Sequence, residues 1–130
     1  MDILSKAVKK ILIVEDDGDL RKLLFSELSK KNFEVLEAED GEMAMTKIVD
    51  DRPDVIILDM LLPKLDGFKV LERLRSYPDP VLAKTQVVVL SNLWSDKDIL
   101  QAKALQVEHY FVKANTPLDE VVQTISSMLR

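Results

Sequence analysis

The 130-residue chain has no cysteine, only three glycines, one histidine and one tryptophan. The lack of cysteine excludes disulfides and thiolate metal sites and is compatible with a reducing compartment. The glycines, Gly18, Gly41 and Gly67, stand too far apart to form a phosphate-cradling loop, which argues against nucleotide or flavin binding. No apolar run approaches the length of a bilayer span, and Met1 to Lys10 hold no stretch that reads as a signal peptide. No membrane association is expected, and the expected location is cytoplasmic. Basic residues are outnumbered, 18 against 23 acidic ones, and the net charge of −5 disfavours direct binding to nucleic acid or an anionic membrane. Internal repeats, low-complexity tracts and Pro/Gly/Ser linkers are also missing. A hydrophobic fraction of 47% over this length suits one domain with its own core. The expected organisation is a short tail over 1–9 and a single domain over 10–130.

What the chain does have is four short apolar runs that each end on a reactive polar side chain. Ile11-Leu12-Ile13-Val14 ends on Glu15 and Asp16, Val55-Ile56-Ile57-Leu58 on Asp59, Val87-Val88-Val89-Leu90 on Ser91, and Tyr110-Phe111-Val112 on Lys113. Continuous, largely β-branched runs separated by helical stretches read as strands buried on both faces of a parallel sheet. Parallel strands end on one side of the sheet, so these acids, hydroxyl and lysine are expected to converge in the crevice where open α/β sheets bind ligands.

Between the strands the spacing predicts helices. Leu20, Leu23, Leu24 and Leu28 mark the first, with Asp17 or Asp19 near its start. Phe33 to Ala38 reads as a second strand, and Met43, Ala44 and Ile48 as a helix entered through Gly41 and ended before Pro53. Asp66 can cap a third helix that carries Phe68, Leu71 and Leu74 and stops near Tyr77-Pro78-Asp79-Pro80. A fourth spans Asp96 to Leu105, with Ile99, Leu100 and Ala104 as its apolar positions. The last has Thr116 as cap, Pro117 at its first position, Asp119 and Glu120 in the first turn, and a stripe from Leu118 to Leu129. Asp17, Asp40, Asp50 and Asp51 read as solvated, Asp66 and Gly67 as a cap and a turn residue, and His109 as a surface residue. Trp94 is open between an exposed aromatic and one packed on the fourth helix.

The runs ending on Glu15-Asp16-Asp17, the stretch Asp59-Met60-Leu61-Leu62-Pro63-Lys64-Leu65-Asp66-Gly67, Ser91, and Tyr110-Phe111-Val112-Lys113 together resemble the receiver domains of bacterial two-component response regulators, including the chemotaxis type. The resemblance covers nearly the whole chain. It implies an α/β, flavodoxin-like, doubly wound (βα)5 sandwich with a five-stranded parallel sheet of order 2-1-3-4-5. It also implies a role for each site residue. Asp59 would be the phosphoacceptor, taking a phosphoryl group from a sensor histidine kinase or phosphotransfer protein. Mg2+ would be held by Glu15, Asp16, Asp59 and the backbone carbonyl of Leu61. Lys113 would balance charge, and Ser91 with Tyr110 would switch the surface offered to a downstream protein. Close carboxylates repel, so a hard divalent cation or Lys113 is needed to neutralise them. On this reading the chain is a signalling phosphoacceptor and not an enzyme, and it ends as a stand-alone receiver or a piece of a longer regulator would.

Several positions depart from the family pattern. Asn92 follows the hydroxyl where a small residue is usual. Ala114 follows Lys113 where proline, often cis, is usual; a non-proline cis bond costs about 2.5–4 kcal/mol, which leaves two geometries open, trans with a displaced lysine loop or cis at that cost. Leu61 and Leu93 occupy positions that tune dephosphorylation in the family, and their apolar side chains imply slow loss of phosphate. Leu61 also stands where an aspartate-nucleophile phosphohydrolase would place its general acid, which weighs against that enzyme class. The last helix has no basic residue before Arg130, so the charge lattice by which some receivers dimerise is incomplete.

Overall fold

β-Branched side chains pack well on a pleated surface and lose rotamer freedom in a helix, and the apolar runs are strands in the computed structural model, which describes residues 8–130. Most of the expected tail, residues 1–7, lies outside the described residues. Five strands, β1 (Lys10–Val14), β2 (Glu34–Ala38), β3 (Val55–Leu58), β4 (Gln86–Ser91) and β5 (His109–Val112), form one parallel sheet of order β2-β1-β3-β4-β5. This is the expected flavodoxin-like order, with the weak second strand at an edge. Among the described residues six helices surround the sheet: α1 (Gly18–Ser29), α2 (Gly41–Asp51), α3 (Gly67–Arg75), α4 (Pro80–Ala83), α5 (Asp96–Ala104) and α6 (Leu118–Met128). A 3-10 turn over Lys113–Asn115 follows β5. No described helix is long and apolar enough to cross a membrane.

Strand side chains alternate between two cores. Leu12, Val14, Ile56 and Leu58 pack with Ala44 and Ile48 of α2 and Leu71 and Leu74 of α3 on one face. Ile11, Ile13, Val55 and Ile57 pack with Leu24 and Leu28 of α1 and Val121 and Ile125 of α6 on the other. Each fully buried aliphatic side chain contributes about 1.5–3 kcal/mol of transfer free energy, so the central strands are held from both sides.

The helices differ from expectation in five respects. The break expected near Tyr77-Pro78-Asp79-Pro80 contains the four-residue α4, because Asp79 accepts from the Val81 and Leu82 amides and Pro80 occupies the first position. The last helix starts at Leu118 with Pro117 as its cap, and no side chain caps it; the Thr116 amide instead closes the preceding turn onto the Lys113 carbonyl at 3.5 Å. In α5 the inward residue is Ala102, whereas Leu100 is 66% exposed and Ala104 is exposed. Asp40 is buried, because its side chain caps α2 through the Met43 amide at 2.8 Å and faces Lys64 at 3.7 Å. Leu23 and Met43, expected on buried faces, are exposed.

One side chain ties the far end of the sheet together. The Arg75 guanidinium at the end of α3 donates to the carbonyls of Ala83, Thr85 and Leu105, each at 2.8 Å, and of Gln106 at 3.0 Å. It thereby fixes the exit of α4, the entry to β4 and the exit of α5. Burial lowers its pKa from the ordinary arginine value, partly offset by Glu108. Arg75→Ala leaves those carbonyls without their charged donor and is expected to cost about 2–3 kcal/mol. Urea unfolding should show a lower midpoint at unchanged slope, with Arg75→Lys, which lacks the planar fork, in between.

Candidate functional site

Register brings the first two acids together. Val14 pairs with Leu58, so Glu15 and Asp59 are adjacent as β1 and β3 leave the sheet. The Asp59 amide still bonds the Val14 carbonyl at 3.1 Å, and the Glu15 amide bonds Ala38 of the edge strand at 3.0 Å. Arg21 of α1 donates to the Glu15 carbonyl at 2.8 Å and pairs with Glu37 at 3.2 Å. That clamp gave no sign in the sequence, where Arg21 reads as a polar position on a helix. Both acids are buried, and Asp16 next to Glu15 is exposed.

Lys113, the residue after β5, bridges the pair. Its Nζ lies 2.7 Å from Glu15 Oε1 and 2.8 Å from Asp59 Oδ2. The other oxygens take backbone donors: Glu15 Oε2 accepts from the Asp17 amide and Asp59 Oδ1 from the Leu61 amide, both at 3.0 Å. Burial pushes the Glu15 carboxyl above its ordinary value; Lys113 and the Asp17 amide pull it back only in part, and Asp59 pushes it further. Burial pulls the Lys113 ammonium down, but its bonds to Asp59 and Glu15 outweigh that and hold its pKa above the ordinary lysine value.

Ser91, at the end of β4, is fully buried, and its Oγ accepts from the Leu93 amide at 3.3 Å. The half-buried Tyr110 of β5 donates its hydroxyl to the Leu93 carbonyl at 2.6 Å, which connects it to the Ser91 loop. Burial, with Asp98 and Asp59 nearby, raises the tyrosine pKa, so the hydroxyl keeps its proton. The Lys113–Ala114 bond is trans, as is every peptide bond among the described residues. The Ala114 amide donates to Asn92 Oδ1 at 3.2 Å. His109 is exposed and stacks on Phe111, ring centres 5.8 Å apart, and takes no part in the cluster. Trp94 is 70% exposed, which decides between its two expected environments.

Gly67 serves the site through its lack of a side chain. A Cβ there would lie 2.5 Å from the Asp59 carbonyl oxygen and 2.6 Å from Met60 Cα, so α3 begins directly against the backbone that carries Asp59. It was expected as a turn residue, yet its φ is not positive. Close approach is the reason for glycine here.

One oxygen each of Glu15, Asp16 and Asp59 lie within 4.8 Å of one another. An all-oxygen set of carboxylates suits a hard divalent cation, and it is poorly suited to softer metals that favour nitrogen or sulfur.

Lys113→Met leaves Glu15 and Asp59 facing each other. The expected cost is about 2 kcal/mol, below the roughly 3–5 of a fully buried pair because Lys113 is 19% exposed. A carboxyl raised in the folded state costs stability as pH rises through its folded pKa and not below its unfolded value of 4.5. The deficit should therefore be full at neutral pH and shrink toward pH 4.5, as Glu15 takes up a proton. Urea unfolding across that range checks this, and added Mg2+ should recover part of the loss at neutral pH.

A family model described as the response regulator receiver domain matches residues 11–126. Over 130 residues the chain is 34% identical to the probable transcriptional regulator ycf27 of Guillardia theta, covering 100% of this chain and 49% of that protein. It thus spans about half the length of the curated relatives it matches. Among solved structures, it resembles the phosphorylated cyanobacterial phytochrome response regulator RcpA with a TM-score of 0.79 and 34% identity, over 94% of this chain and 91% of that one. It also resembles the Mn2+-bound form of the response regulator Rcp1, with a TM-score of 0.77 and 32% identity over 92% of each chain. With a family match over residues 11–126, and a parallel sheet whose strand ends bring Glu15, Asp59 and Lys113 together, the chain belongs to the response regulator receiver domains.

Proposed function

We propose that this domain is the phosphoacceptor of a two-component phosphorelay, with Asp59 as its nucleophile. The observation that carries the reading is Lys113 bridging the buried Glu15 and Asp59 beside Asp16, at the edge where four strands end. An Asp59 oxygen attacks the phosphorus of a phosphohistidine on a kinase or phosphotransfer protein. The P–N bond breaks, its electron pair stays on the imidazole nitrogen, and the new O–P bond makes an acyl phosphate. Glu15, Asp16 and Asp59, with the Leu61 carbonyl, would hold Mg2+. When bound, the cation supplies positive charge against the phosphoryl oxygens. Lys113 does the same from the protein side, and release from its two carboxylate partners frees its donors for the phosphoryl group.

Ser91 accepts from Leu93, which leaves its hydroxyl proton to be donated to the new phosphoryl oxygens. Drawing the loop inward would disturb the bond between Leu93 and Tyr110, so Tyr110 reports the change to the outer face. The output is a protein surface recognised by a downstream partner, with no direct nucleic-acid contact by this domain and with the cytoplasm as its location. The phosphorylated state of RcpA and the Mn2+ in Rcp1 support the reading by similarity.

Acetyl phosphate with Mg2+ should add one phosphoryl group to the wild-type chain by intact-mass measurement, and beryllofluoride should shift the amide spectrum. Asp59→Asn should abolish both responses, and an unresponsive wild type would overturn the proposal. Leu61 is 52% exposed and Leu93 half-buried, and neither can orient an attacking water. The isolated phospho-form should therefore outlast the timescale of seconds, and Leu93→Glu, which adds an acceptor for that water, should shorten its lifetime; loss of label within seconds in Mg2+ buffer counts against slow hydrolysis.

A further inference from the structure

Asn92 and Ala114 each come directly after a residue of the site, Ser91 and Lys113. Ser91 pairs with Val112 at the end of the β4–β5 ladder, so the register sets Asn92 opposite Lys113, one residue before Ala114. The ladder stops there and Lys113–Asn115 closes into its 3-10 turn. The first amides of a helical turn have no carbonyl of their own to bond, and Val112, the residue before the turn, offers no side-chain cap. For Ala114 the missing acceptor is Asn92 Oδ1, at 3.2 Å. A side-chain amide thus forms the next rung and caps the turn from the neighbouring strand. The bond exists because residue 114 has an N–H to give, which proline would lack.

The capped turn also carries Lys113. Its stem is flexible, yet its ammonium lies within 2.8 Å of two different carboxylates. Where the turn places the lysine backbone therefore decides whether one ammonium reaches both. Asn92 is joined through one peptide bond to Ser91, so the same bridge relates the hydroxyl to the ammonium.

We propose that Asn92 is a positioning residue for phosphoryl acceptance: by capping the Lys113 turn through the Ala114 amide, it holds the Lys113 ammonium and the Ser91 hydroxyl in one fixed relation to Asp59. The role rests on the phosphoacceptor reading of Asp59. Asn92 acts through Ala114 and needs no contact with the reacting atoms.

Hydrogen exchange of the Ala114 amide, followed by NMR on the full chain without phosphodonor, tests the bridge apart from any phosphoryl chemistry. Asn92→Leu keeps the bulk of the side chain and removes its acceptor, while Asn92→Asp keeps an acceptor oxygen. The Ala114 amide should exchange roughly fivefold faster in Asn92→Leu, the factor that the net worth of one hydrogen bond brings, and stay protected in Asn92→Asp. Labelling of Asp59 by acetyl phosphate in Mg2+ should slow by about the same factor in Asn92→Leu and in Ala114→Pro. The double variant should be no slower than the slower single one, because both changes remove one bond. Unchanged Ala114 exchange in Asn92→Leu overturns the bridge. Wild-type labelling by Asn92→Leu, or losses that multiply in the double variant, overturns the positioning role. A wild-type chain that takes no label overturns the phosphoacceptor reading and the role with it, and the amide exchange tells this failure apart from loss of the bridge.

Discussion

Two carboxylates almost shielded from water need a positive charge, and the domain supplies it from a distant strand. Glu15 and Asp59 leave adjacent strands, whereas Lys113 leaves β5, two positions from β3 in the sheet. At about 4.7–4.9 Å per strand, the ammonium must reach across the end of β4 to meet both acids. Only a parallel sheet brings these ends to one edge, and only a strand order that keeps β1, β3, β4 and β5 contiguous makes the reach short enough. The pair of cores follows from the same requirement, because strands that deliver buried charge at their ends must themselves be covered on both faces. Burying acids without the lysine would leave them to protonate, and exposing them would let water screen the attraction that organises the site.

The path of the chain just after Asp59 is set by the absence of side chains. A Cβ on Gly41 would lie 1.8 Å from the Leu65 carbonyl oxygen, and one on Gly67 would meet the Asp59 carbonyl. The loop from Met60 to Asp66 is therefore pressed between the starts of α2 and α3. Two backbone bonds follow from that closeness, Gly67 to the Met60 carbonyl at 3.1 Å and Gly41 to the Pro63 carbonyl at 3.4 Å. Lys64 takes a left-handed φ of 67° inside this loop, so the tight path is met by a non-glycine residue in the middle and by glycines at the contacts.

The strands and the acids, hydroxyl and lysine at their ends were legible because each depends on a local pattern, an apolar run with a polar ending; the strand order came only with the resemblance to the receiver family. Side-chain roles that depend on distant partners were not. Arg75 reads as the polar end of a helix, yet four carbonyls from two separate stretches of chain converge on it. Asp40 reads as one of several solvated acids, but the start of α2 turns it inward. In α5 the apolar residues are spread around the helix, so its buried position falls on Ala102, a small residue that carries little signal. Thr116 has the right chemistry for a cap, but Pro117 had already placed the chain so that the helix starts one residue later. Asn92 and Ala114 were each visible as departures from a family pattern; their relation as acceptor and donor belongs to the register of β4 and β5.

The two sides of the site are held by different kinds of contact, and that difference gives a charge change at Asp59 a direction in which to act. On the β1–β3 side, Glu15 and Asp59 are fixed by backbone bonds to Ala38 and Val14, by Arg21 on a main-chain carbonyl, and by steric contact at Gly67. Moving any of these would disturb the sheet or the core. On the β4–β5 side the ties are single bonds that involve side chains: Leu93 to Ser91, Tyr110 to Leu93, Ala114 to Asn92, and Lys113 to its two acids. Such bonds exchange partners without unfolding anything; the neutral ones are worth only about 0.5–1.5 kcal/mol net, and those of Lys113 about 1.5–3. A phosphoryl group on Asp59 would offer stronger, charged acceptors to the Ser91 hydroxyl and the Lys113 ammonium. Rearrangement would then run outward through Leu93 to Tyr110, because that is where the existing bonds are weak enough to give way.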